Sequence, residues 1–264
     1  MSASELEALF SLEGQVALVT GASSGLSAQV ARALAKAGAN VGLVARRKDR
    51  LESLAKELEA KGVRACVAPA DVTVTDQLRG AIDQVESELG PIDILVNGAG
   101  IAPLGRAEKH TRAKWDSAVS LNLTAVWEGS QLVAQRWIER GRGGRIIQLS
   151  SVIGFGANPV HRSVGYAATK GAINTLTRHL AIEWGKFGIF VNALAPAYFP
   201  TEMTTDPRDG KVPAEMETTI KQFTPLGRLG RAEEIETAVL YLVSPLSTYT
   251  TGSVVAVDGG WTAW

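Results

Sequence analysis

The chain has 264 residues, of which 45% are hydrophobic, and its 27 lysines and arginines balance its 27 aspartates and glutamates. This length and composition suit one large α/β domain or two small ones. The formal net charge of zero excludes the basic footprint typical of nucleic-acid-binding or acidic-membrane-binding proteins.

The first residues and the single cysteine indicate a compartment. The N-terminal residues MSASELE carry no basic stretch followed by a long apolar one, and no apolar run approaches the ~20 residues needed to span a bilayer. Cys66 has no partner for an intrachain disulfide and lies in an apolar run, which favours a buried structural thiol over a nucleophile. We therefore expect a soluble, cytoplasmic protein with no membrane or nucleic-acid partner.

Short apolar runs alternate with amphipathic stretches along the chain. The apolar runs predict seven strands, at 16–20, 41–45, 64–69, 92–96, 145–150, 189–195 and 254–258. Helical periodicity lies between them at 27–37, 48–61, 75–89, 111–140 and 165–185. Near-continuous apolar strands alternating with helices are typical of the α/β class. We expect a Rossmann-type, doubly wound parallel sheet of seven strands, with helices on both faces, in a single domain over 1–264.

The first strand runs into the turn TGASSGLS at 20–27 and then into a helix. Gly21 and Gly25 permit a tight turn and a close approach of the backbone to a pyrophosphate at the helix N-terminus. Many strand–helix turns carry glycine only because they need a positive φ, so a plain turn is the alternative. The position of this turn in the first βαβ unit favours dinucleotide binding.

The end of the second strand indicates which dinucleotide binds. An NAD-preferring site carries an acidic residue there for the ribose 2′-hydroxyl, whereas this chain has Ala45 followed by Arg46 and Arg47. A guanidinium group can bind a phosphate in a bidentate geometry. A basic helix start facing solvent is the alternative, above all for Arg47. We predict NADP(H), with NAD(H) as the alternative cofactor.

Tyr166 and Lys170 lie four positions apart in the helical stretch that begins at 165, so their side chains leave the same helix face. A free phenol, with a pKa of ~10, is a poor acid or base at neutral pH. An ammonium group about 4 Å away at an effective dielectric of ~20 contributes roughly 4 kcal/mol, or about three pKa units. The pair therefore indicates general acid/base catalysis, with a chance spacing on a surface helix as the alternative.

The regular alternation is interrupted only at 196–230, which is rich in proline, threonine and charged residues. An insertion after the carboxyl end of a strand lies where a doubly wound sheet places its ligand. We predict that residues of about 197–223 form a mobile lid over the substrate.

From about Gln15 to Gly260 the chain resembles the short-chain dehydrogenase/reductase family. The family's TGxxxGxG appears at 20–27 with Ser27 in place of the third glycine, and its NNAG appears at 97–100 with Gly98 in place of the second asparagine. The family's Asp-Val after the third strand is Asp71-Val72. Its last strand and turn match GSVVAVDGG at 252–260.

The resemblance implies roles at the cofactor. Asp71 contacts adenine, the 97–100 segment closes over the ribose side, and Thr201 binds the nicotinamide amide. The predicted cofactor-binding residues are Gly21, Ser23, Ser24, Gly25, Leu26, Arg46, Arg47, Asp71, Val72, Asn97, Gly98, Ala99, Tyr166, Lys170, Pro196, Thr201 and Met203.

The resemblance also implies the catalytic residues Ser151, Tyr166, Lys170 and Asn122. Ser151 orients the substrate oxygen, Tyr166 exchanges its proton, Lys170 lowers the tyrosine pKa and binds ribose hydroxyls, and Asn122 holds a water on the proton path. The loop between Ser151 and Tyr166 is about two residues longer than is usual in the family. That length leaves Ser150 as an alternative to Ser151.

The extra length of this loop falls in 157–163, which contains His161. A solvent-facing loop histidine is the simpler interpretation of His161, with contact to the substrate as the alternative. The three histidines of the chain show no metal-ligand spacing, so no metal is expected.

The predicted activity is hydride transfer between NADP(H) and a ketone or secondary alcohol. A 3-oxoacyl-thioester reductase, a sugar-acid dehydrogenase and a catalytically silent nucleotide-sensing protein remain alternatives. Relatives assemble through the region of the C-terminal tail, and Trp261 and Trp264 are apolar surface that a monomer would leave uncovered. We therefore expect a homotetramer, or a homodimer.

Overall fold

The computed structural model describes residues 8–157 and 162–263. Its strands are β1 (Val16–Thr20), β2 (Asn40–Ala45), β3 (Ala65–Pro69), β4 (Ile94–Asn97), β5 (Gly144–Leu149), β6 (Ile189–Pro196) and β7 (Val254–Val257). Its longer helices are α1 (Gly25–Lys36), α2 (Lys48–Glu59), α3 (Thr75–Leu89), α4 (Arg112–Val119), α5 (Ala125–Glu139), α6 (Val164–Trp184), α7 (Ala214–Phe223) and α8 (Glu236–Val243). A π turn (Ser120–Thr124) joins α4 to α5.

The strands form one parallel sheet in the order β3-β2-β1-β4-β5-β6-β7. The chain builds outward from β1 to β3, then crosses back to place β4 on the other side of β1. The strand order therefore reverses between β1 and β4, which is where a doubly wound sheet binds its ligand. The structure confirms the predicted seven-stranded Rossmann-type α/β fold.

Helices cover both faces of the sheet, as the near-continuous apolar strands require. One core cluster joins the sheet to α1, α2 and α8, through side chains such as Leu34, Leu51 and Leu242. The other joins it to α3, α5 and α6, and includes the fully buried Trp137. Cys66 lies on β3, where burial raises the pKa of its thiol to about 12, as expected of a structural cysteine.

Two elements differ from the sequence-based predictions. The helix predicted at 111–140 is interrupted by the π turn, which hydropathy alone does not reveal. Helix α8, with the sequence ETAVLYLV, was not predicted, because its nearly continuous apolar run lacks a polar face. Both elements nevertheless lie between consecutive strands, the π turn between β4 and β5 and α8 between β6 and β7.

Candidate active site

A cavity of about 1000 Å³ opens along the carboxyl edge of the sheet. Its lining comes from the segments that follow β1 to β6, because the carboxyl ends of parallel strands meet at one edge. Among the predicted site residues, only Asn97 and Asn122 do not line it. The cavity thus brings together predicted residues that are up to 182 positions apart in the chain, Gly21 and Met203.

Thr20, at the end of β1, joins the two loops on either side of the switch point. Its hydroxyl accepts hydrogen bonds from the backbone N–H groups of Gly98 (3.1 Å) and Ala99 (3.4 Å). Next to it, Gly21 has a φ of +70°, and a Cβ there would lie 2.7 Å from the Ala99 backbone. Only glycine allows this close approach. We did not predict a role for Thr20, although it begins the recognised motif.

The turn after β1 places the N-terminus of α1 at the cavity. Gly25, the first residue of α1, has a φ of +60° and lines the cavity with Leu26. The hydroxyl of Ser24 accepts a hydrogen bond from Arg47 Nη2 (2.7 Å) and does not cap the helix within the described part of the chain. The first backbone N–H groups of α1 are therefore available to an anionic ligand.

Ser27 and Gly98, the two positions that depart from the family motifs, contact each other. The Ser27 hydroxyl donates to the Gly98 carbonyl (3.0 Å), and Ser27 is buried. A Cβ at position 98 would lie 2.3 Å from Ser27 Oγ and 2.9 Å from the Thr20 carbonyl oxygen. The serine therefore takes up the space that a side chain at position 98 would need.

Arg46 projects from the end of β2 with 74% of its side chain exposed, and its Nη1 lies 4.0 Å from Asp71 Oδ2. Asp71 accepts hydrogen bonds from the Thr73 hydroxyl (2.7 Å) and backbone N–H (3.0 Å). Mainly these hydrogen bonds, and to a lesser degree the charge of Arg46, lower the pKa of Asp71. Asp71 is thus a fixed anion at the rim of the cavity.

Arg47 is held by more partners than Arg46. Its guanidinium donates to the hydroxyls of Ser23 (3.0 and 3.1 Å) and Ser24, and forms an ion pair with Glu202 (2.9 Å). Arg50 forms an ion pair with the same carboxylate. These contacts count against the alternative interpretation of Arg47 as part of a basic helix start that faces solvent. Glu202 was missed, although it lies between Thr201 and Met203, which were predicted.

The two serines after β5 point to different neighbours. The Ser150 hydroxyl donates to Asn174 Oδ1 (2.5 Å) on α6. The Ser151 hydroxyl instead accepts a hydrogen bond from the Ile153 N–H (3.3 Å) and lies beside the phenol of Tyr166, whose pKa it lowers. Both serines line the cavity, but the Ser150 hydroxyl is held against α6, whereas Ser151 lies beside Tyr166.

Tyr166 and Lys170 lie on the first two turns of α6 and are 8% and 5% exposed. The Lys170 Nζ lies 5.5 Å from the Tyr166 ring centroid and donates a hydrogen bond to the Leu149 carbonyl. Burial lowers the pKa of Lys170 to about 8. Burial also raises the pKa of Tyr166, and the hydrogen bond from Ser151 lowers it by less.

The expected lowering of the Tyr166 pKa by Lys170 is therefore wrong for this structure. The ammonium donates to a backbone carbonyl, and withdrawal of the phenol from water dominates the shift of the Tyr166 pKa. Tyr166 is held as a neutral phenol, the form that donates a proton.

Asn122 lies in the π turn, fully buried behind the cavity wall. Its Oδ1 accepts from the Ile101 N–H (2.9 Å), while its Nδ2 donates to the Ile101 carbonyl (2.9 Å) and to the Thr169 hydroxyl (3.2 Å). The side chain therefore fixes the cavity-lining loop after β4 against α6.

Asn97 does not take the position predicted for it. Its Nδ2 donates to the Val126 carbonyl (3.3 Å) and the Ser130 hydroxyl (3.0 Å), both on α5. Asn97 is the last residue of β4, and because side chains alternate along a strand, its side chain points towards α5 and not into the cavity. Gly98 and Ala99, which follow it, do line the cavity.

The start of the predicted lid is anchored. Tyr198 and Phe199 are 5% and 4% exposed, and a Cβ at Gly230 would lie 2.4 Å from the Phe199 ring. The Tyr198 ring lies 5.0 Å from that of Trp261, centroid to centroid. Trp261 thus packs within its own chain, which removes it as an argument for an oligomer.

Two residues considered above, His161 and Trp264, lie outside the described residues. Within residues 8–157 and 162–263, the structure contains no helix that combines the length and the apolar character needed to cross a bilayer.

Comparison with known proteins gives consistent matches over nearly the whole chain. Residues 21–262 match the family described as enoyl-(acyl carrier protein) reductase. Gluconate 5-dehydrogenase of Gluconobacter oxydans (strain 621H) is 42% identical over 254 residues, 96% of each chain. The 3-oxoacyl-[acyl-carrier-protein] reductase of Thermotoga maritima is 37% identical over 251 residues, 94% of this chain and 98% of the relative.

A solved structure agrees with these sequence matches. The crystal structure of a gluconate 5-dehydrogenase from Burkholderia cenocepacia J2315, in complex with NADP and tartrate, is 36% identical and superposes with a TM-score of 0.89. The match covers 98% of this chain and 99% of that one. Fold, motifs and full-length similarity coincide, and the chain belongs to the short-chain dehydrogenase/reductase family of oxidoreductases.

Proposed function

We propose that this protein is an NADP(H)-dependent oxidoreductase that interconverts a ketone and a secondary alcohol. The observation that carries the proposal is that Ser151, Tyr166 and Lys170 line one cavity, with the Ser151 hydroxyl beside the phenol whose pKa it lowers. Two neighbouring hydroxyl groups can both form hydrogen bonds with the same carbonyl or alcohol oxygen of a substrate. One of them, Tyr166, can exchange a proton with it.

The cavity fits a nicotinamide dinucleotide. The close approach at Gly21 and the open first turn of α1 suit a pyrophosphate, and Arg46 and Arg47 suit a 2′-phosphate. The cofactor, when bound, supplies or accepts a hydride at the nicotinamide ring. We assign to its binding the cavity-lining residues predicted from the sequence, without Asn97.

The side chains of this protein divide the remaining work. Ser151 orients and polarises the substrate oxygen, and Tyr166 donates a proton to it during reduction or accepts one during oxidation. Lys170, with a pKa near 8, can carry the proton onward as well as bind ribose hydroxyls. We assign to Asn122, in the π turn, the role of holding a water on that path.

The lining favours an uncharged ketone as the substrate. In the described chain, the cations that line the cavity are Arg46 and Arg47, after β2, and Lys170 beside Tyr166. The half of the cavity that contains Ser151 is lined by the segments that follow β4, β5 and β6. This lining is mostly apolar and includes Ile101, Pro103, Leu121, Val152, Ile153 and Met203. A carboxylate bound there, away from Lys170, would lose water without gaining a cation.

Sugar acids and 3-oxoacyl thioesters are the second candidates, supported by the gluconate 5-dehydrogenase and reductase relatives. A polar hydroxylated substrate would use Ser117 and Ser120, which also line the cavity. A homotetramer or homodimer is proposed on the highly exposed apolar side chains of Ile182, Leu246 and Tyr249, and analytical ultracentrifugation tests it.

The decisive experiment measures NADPH and NADH oxidation at 340 nm with apolar cyclic and aryl ketones, a ketogluconate and a 3-oxoacyl thioester. We expect the highest kcat/KM with NADPH and an uncharged ketone, and loss of that activity in Tyr166→Phe. A ketogluconate as the best substrate would move the assignment to a sugar-acid dehydrogenase. NADPH binding without turnover on any substrate would favour a nucleotide-sensing protein.

A further inference from the structure

Glu202 connects three segments around the cavity. Its Oε2 lies 2.9 Å from Arg47 Nη1, and its Oε1 pairs with Arg50 on α2. Arg47 at the same time donates to the hydroxyls of Ser23 and Ser24 in the turn after β1. One carboxylate from the segment after β6 therefore restrains the guanidinium that faces the glycine turn.

The ion pairs hold Glu202 as an anion. The hydrogen bond from Arg50, followed by that from Arg47, lowers the pKa of its carboxyl group below the usual value. Glu202, Arg46 and Arg47 all line the same cavity. Any further anion that reaches Arg47 must share it with Glu202 or displace it.

We propose that Glu202 is a specificity-determining residue for the cofactor, because its carboxylate and the 2′-phosphate of NADP(H) are alternative partners of Arg47. The inference rests on the proposed NADP(H) function. It adds that the Glu202 carboxylate competes with the 2′-phosphate for Arg47. Glu202 weakens the binding of a 2′-phosphorylated nucleotide and leaves a nucleotide with a 2′-hydroxyl nearly unaffected.

The same exchange links the cofactor to the segment that begins at Thr201. Residues 206–211 close on themselves, since the Asp206 N–H donates to the Lys211 carbonyl (2.8 Å) and Asp206 pairs with Arg208. Among the described ion pairs, those of Glu202 are the ones that join this segment to α2. A 2′-phosphate that takes Arg47 therefore removes one of the two ion pairs that hold residues 201–205 at the start of α2.

The test uses two ligands that differ only in the 2′-phosphate, adenosine 2′,5′-bisphosphate and 5′-AMP, with isothermal titration calorimetry on the full-length protein. We expect Glu202→Gln to bind the bisphosphate about three- to tenfold more tightly than wild type, the range for one or two exposed ion pairs. Affinity for 5′-AMP should change less than twofold. Asp206→Asn removes one charge from the same segment without touching Arg47 and should leave both affinities unchanged.

Amide hydrogen exchange gives a second readout. In the wild type, saturation with the bisphosphate should accelerate exchange at 201–205 relative to saturation with 5′-AMP, and Glu202→Gln should show no such difference. Equal tightening of both ligands, or weaker bisphosphate binding in Glu202→Gln, would overturn the inference. If the wild type prefers the bisphosphate and Glu202→Gln shows the same preference, the proposed role of Glu202 fails while the NADP(H) assignment stands. If the wild type binds both ligands equally, both the role of Glu202 and the NADP(H) assignment fail.

Discussion

The two ends of the cavity hold their charged groups in opposite ways. Lys170 and Tyr166 are almost completely buried, and burial moves their pKa values in opposite directions. The side chains of Arg46 and Arg47 are 74% and 41% exposed, and acidic residues lie beside both. We infer that the buried end sets the protonation of Tyr166 and Lys170, whereas the exposed end selects the anion that an arginine binds. Substitutions at the buried end should therefore change proton transfer without changing the choice of cofactor, and substitutions at the exposed end should do the reverse.

The largest expected effect is at the buried end. Tyr166→Phe removes the proposed proton donor and should lower kcat by at least ~100-fold, within the range for general acid/base groups. Cofactor affinity, measured by fluorescence titration, should hardly change. Tyr241→Phe, which removes an exposed hydroxyl bonded to Thr250, is the matched control and should keep its turnover. Near-wild-type turnover in Tyr166→Phe would remove this residue from the mechanism.

Gly21, between the two ends, tests whether the cofactor cradle depends on close backbone approach. Gly21→Ala adds a Cβ 2.7 Å from the Ala99 backbone at a φ of +70°. We expect a loss of about 2–4 kcal/mol in unfolding free energy, from overpacking and backbone strain together. Gly62→Ala has a similar φ of +89° with nothing within 4 Å, and it should lose only the strain, about 1 kcal/mol. Urea denaturation compares the two, and equal losses would contradict the steric account.

Lys170 allows the buried end to be tested through the pH dependence of the free energy of unfolding. Its pKa of about 8 lies below the ~10.4 of an unfolded lysine, so unfolding takes up a proton between these values. Its contribution to stability therefore rises as pH increases from about 8 to 10 and is lost as pH falls back through 8. Lys170→Met should remove this rise, which amounts to at most about 3 kcal/mol.

Urea denaturation between pH 7 and 10 measures this rise. The window ends at 10 because the raised pKa of Tyr166 adds an opposite slope above it. Lys186→Met, at an exposed lysine, is the control and should follow the wild-type curve. A Lys170→Met curve parallel to wild type would contradict burial as the cause of the shift.

The smallest effect belongs to the exposed end. Arg46→Ala should weaken NADP(H) binding by about 1.5–3 kcal/mol, the contribution of a charge-assisted hydrogen bond, and leave NAD(H) binding nearly unchanged. Arg112→Ala, another exposed arginine paired with Asp116 away from the cavity, should affect neither. Calorimetric titration of both cofactors gives the answer. A wild-type preference for NAD(H) would refute the interpretation of Ala45 and Arg46.

Elements with a strong period were predictable from the sequence. All seven strands were found to within about two residues, because parallel strands buried on both faces give unbroken apolar runs. The π turn was not predictable, since it depends on how Asn122 binds the backbone of Ile101, a contact between distant segments.

Side-chain direction was the harder part of the site. Asn97 follows a strand and was placed in the cavity, yet alternation along β4 turns it towards α5. The lid was predicted from composition, but Tyr198 and Phe199 at its start are buried. Substitutions there should therefore affect stability as well as substrate binding. Composition describes a segment's average environment and does not distinguish its anchored residues from its exposed ones.

The contact between Ser27 and Gly98 couples the two positions that depart from the family motifs. A side chain at position 98 collides with Ser27 and needs a small shift of the Thr20 backbone, whereas two small residues at these positions leave only a void. A larger residue at 98 should therefore cost less stability when position 27 is glycine than when it is serine, because only the serine overpacks the turn. Two positions 71 residues apart in the chain thus respond to mutation as one unit.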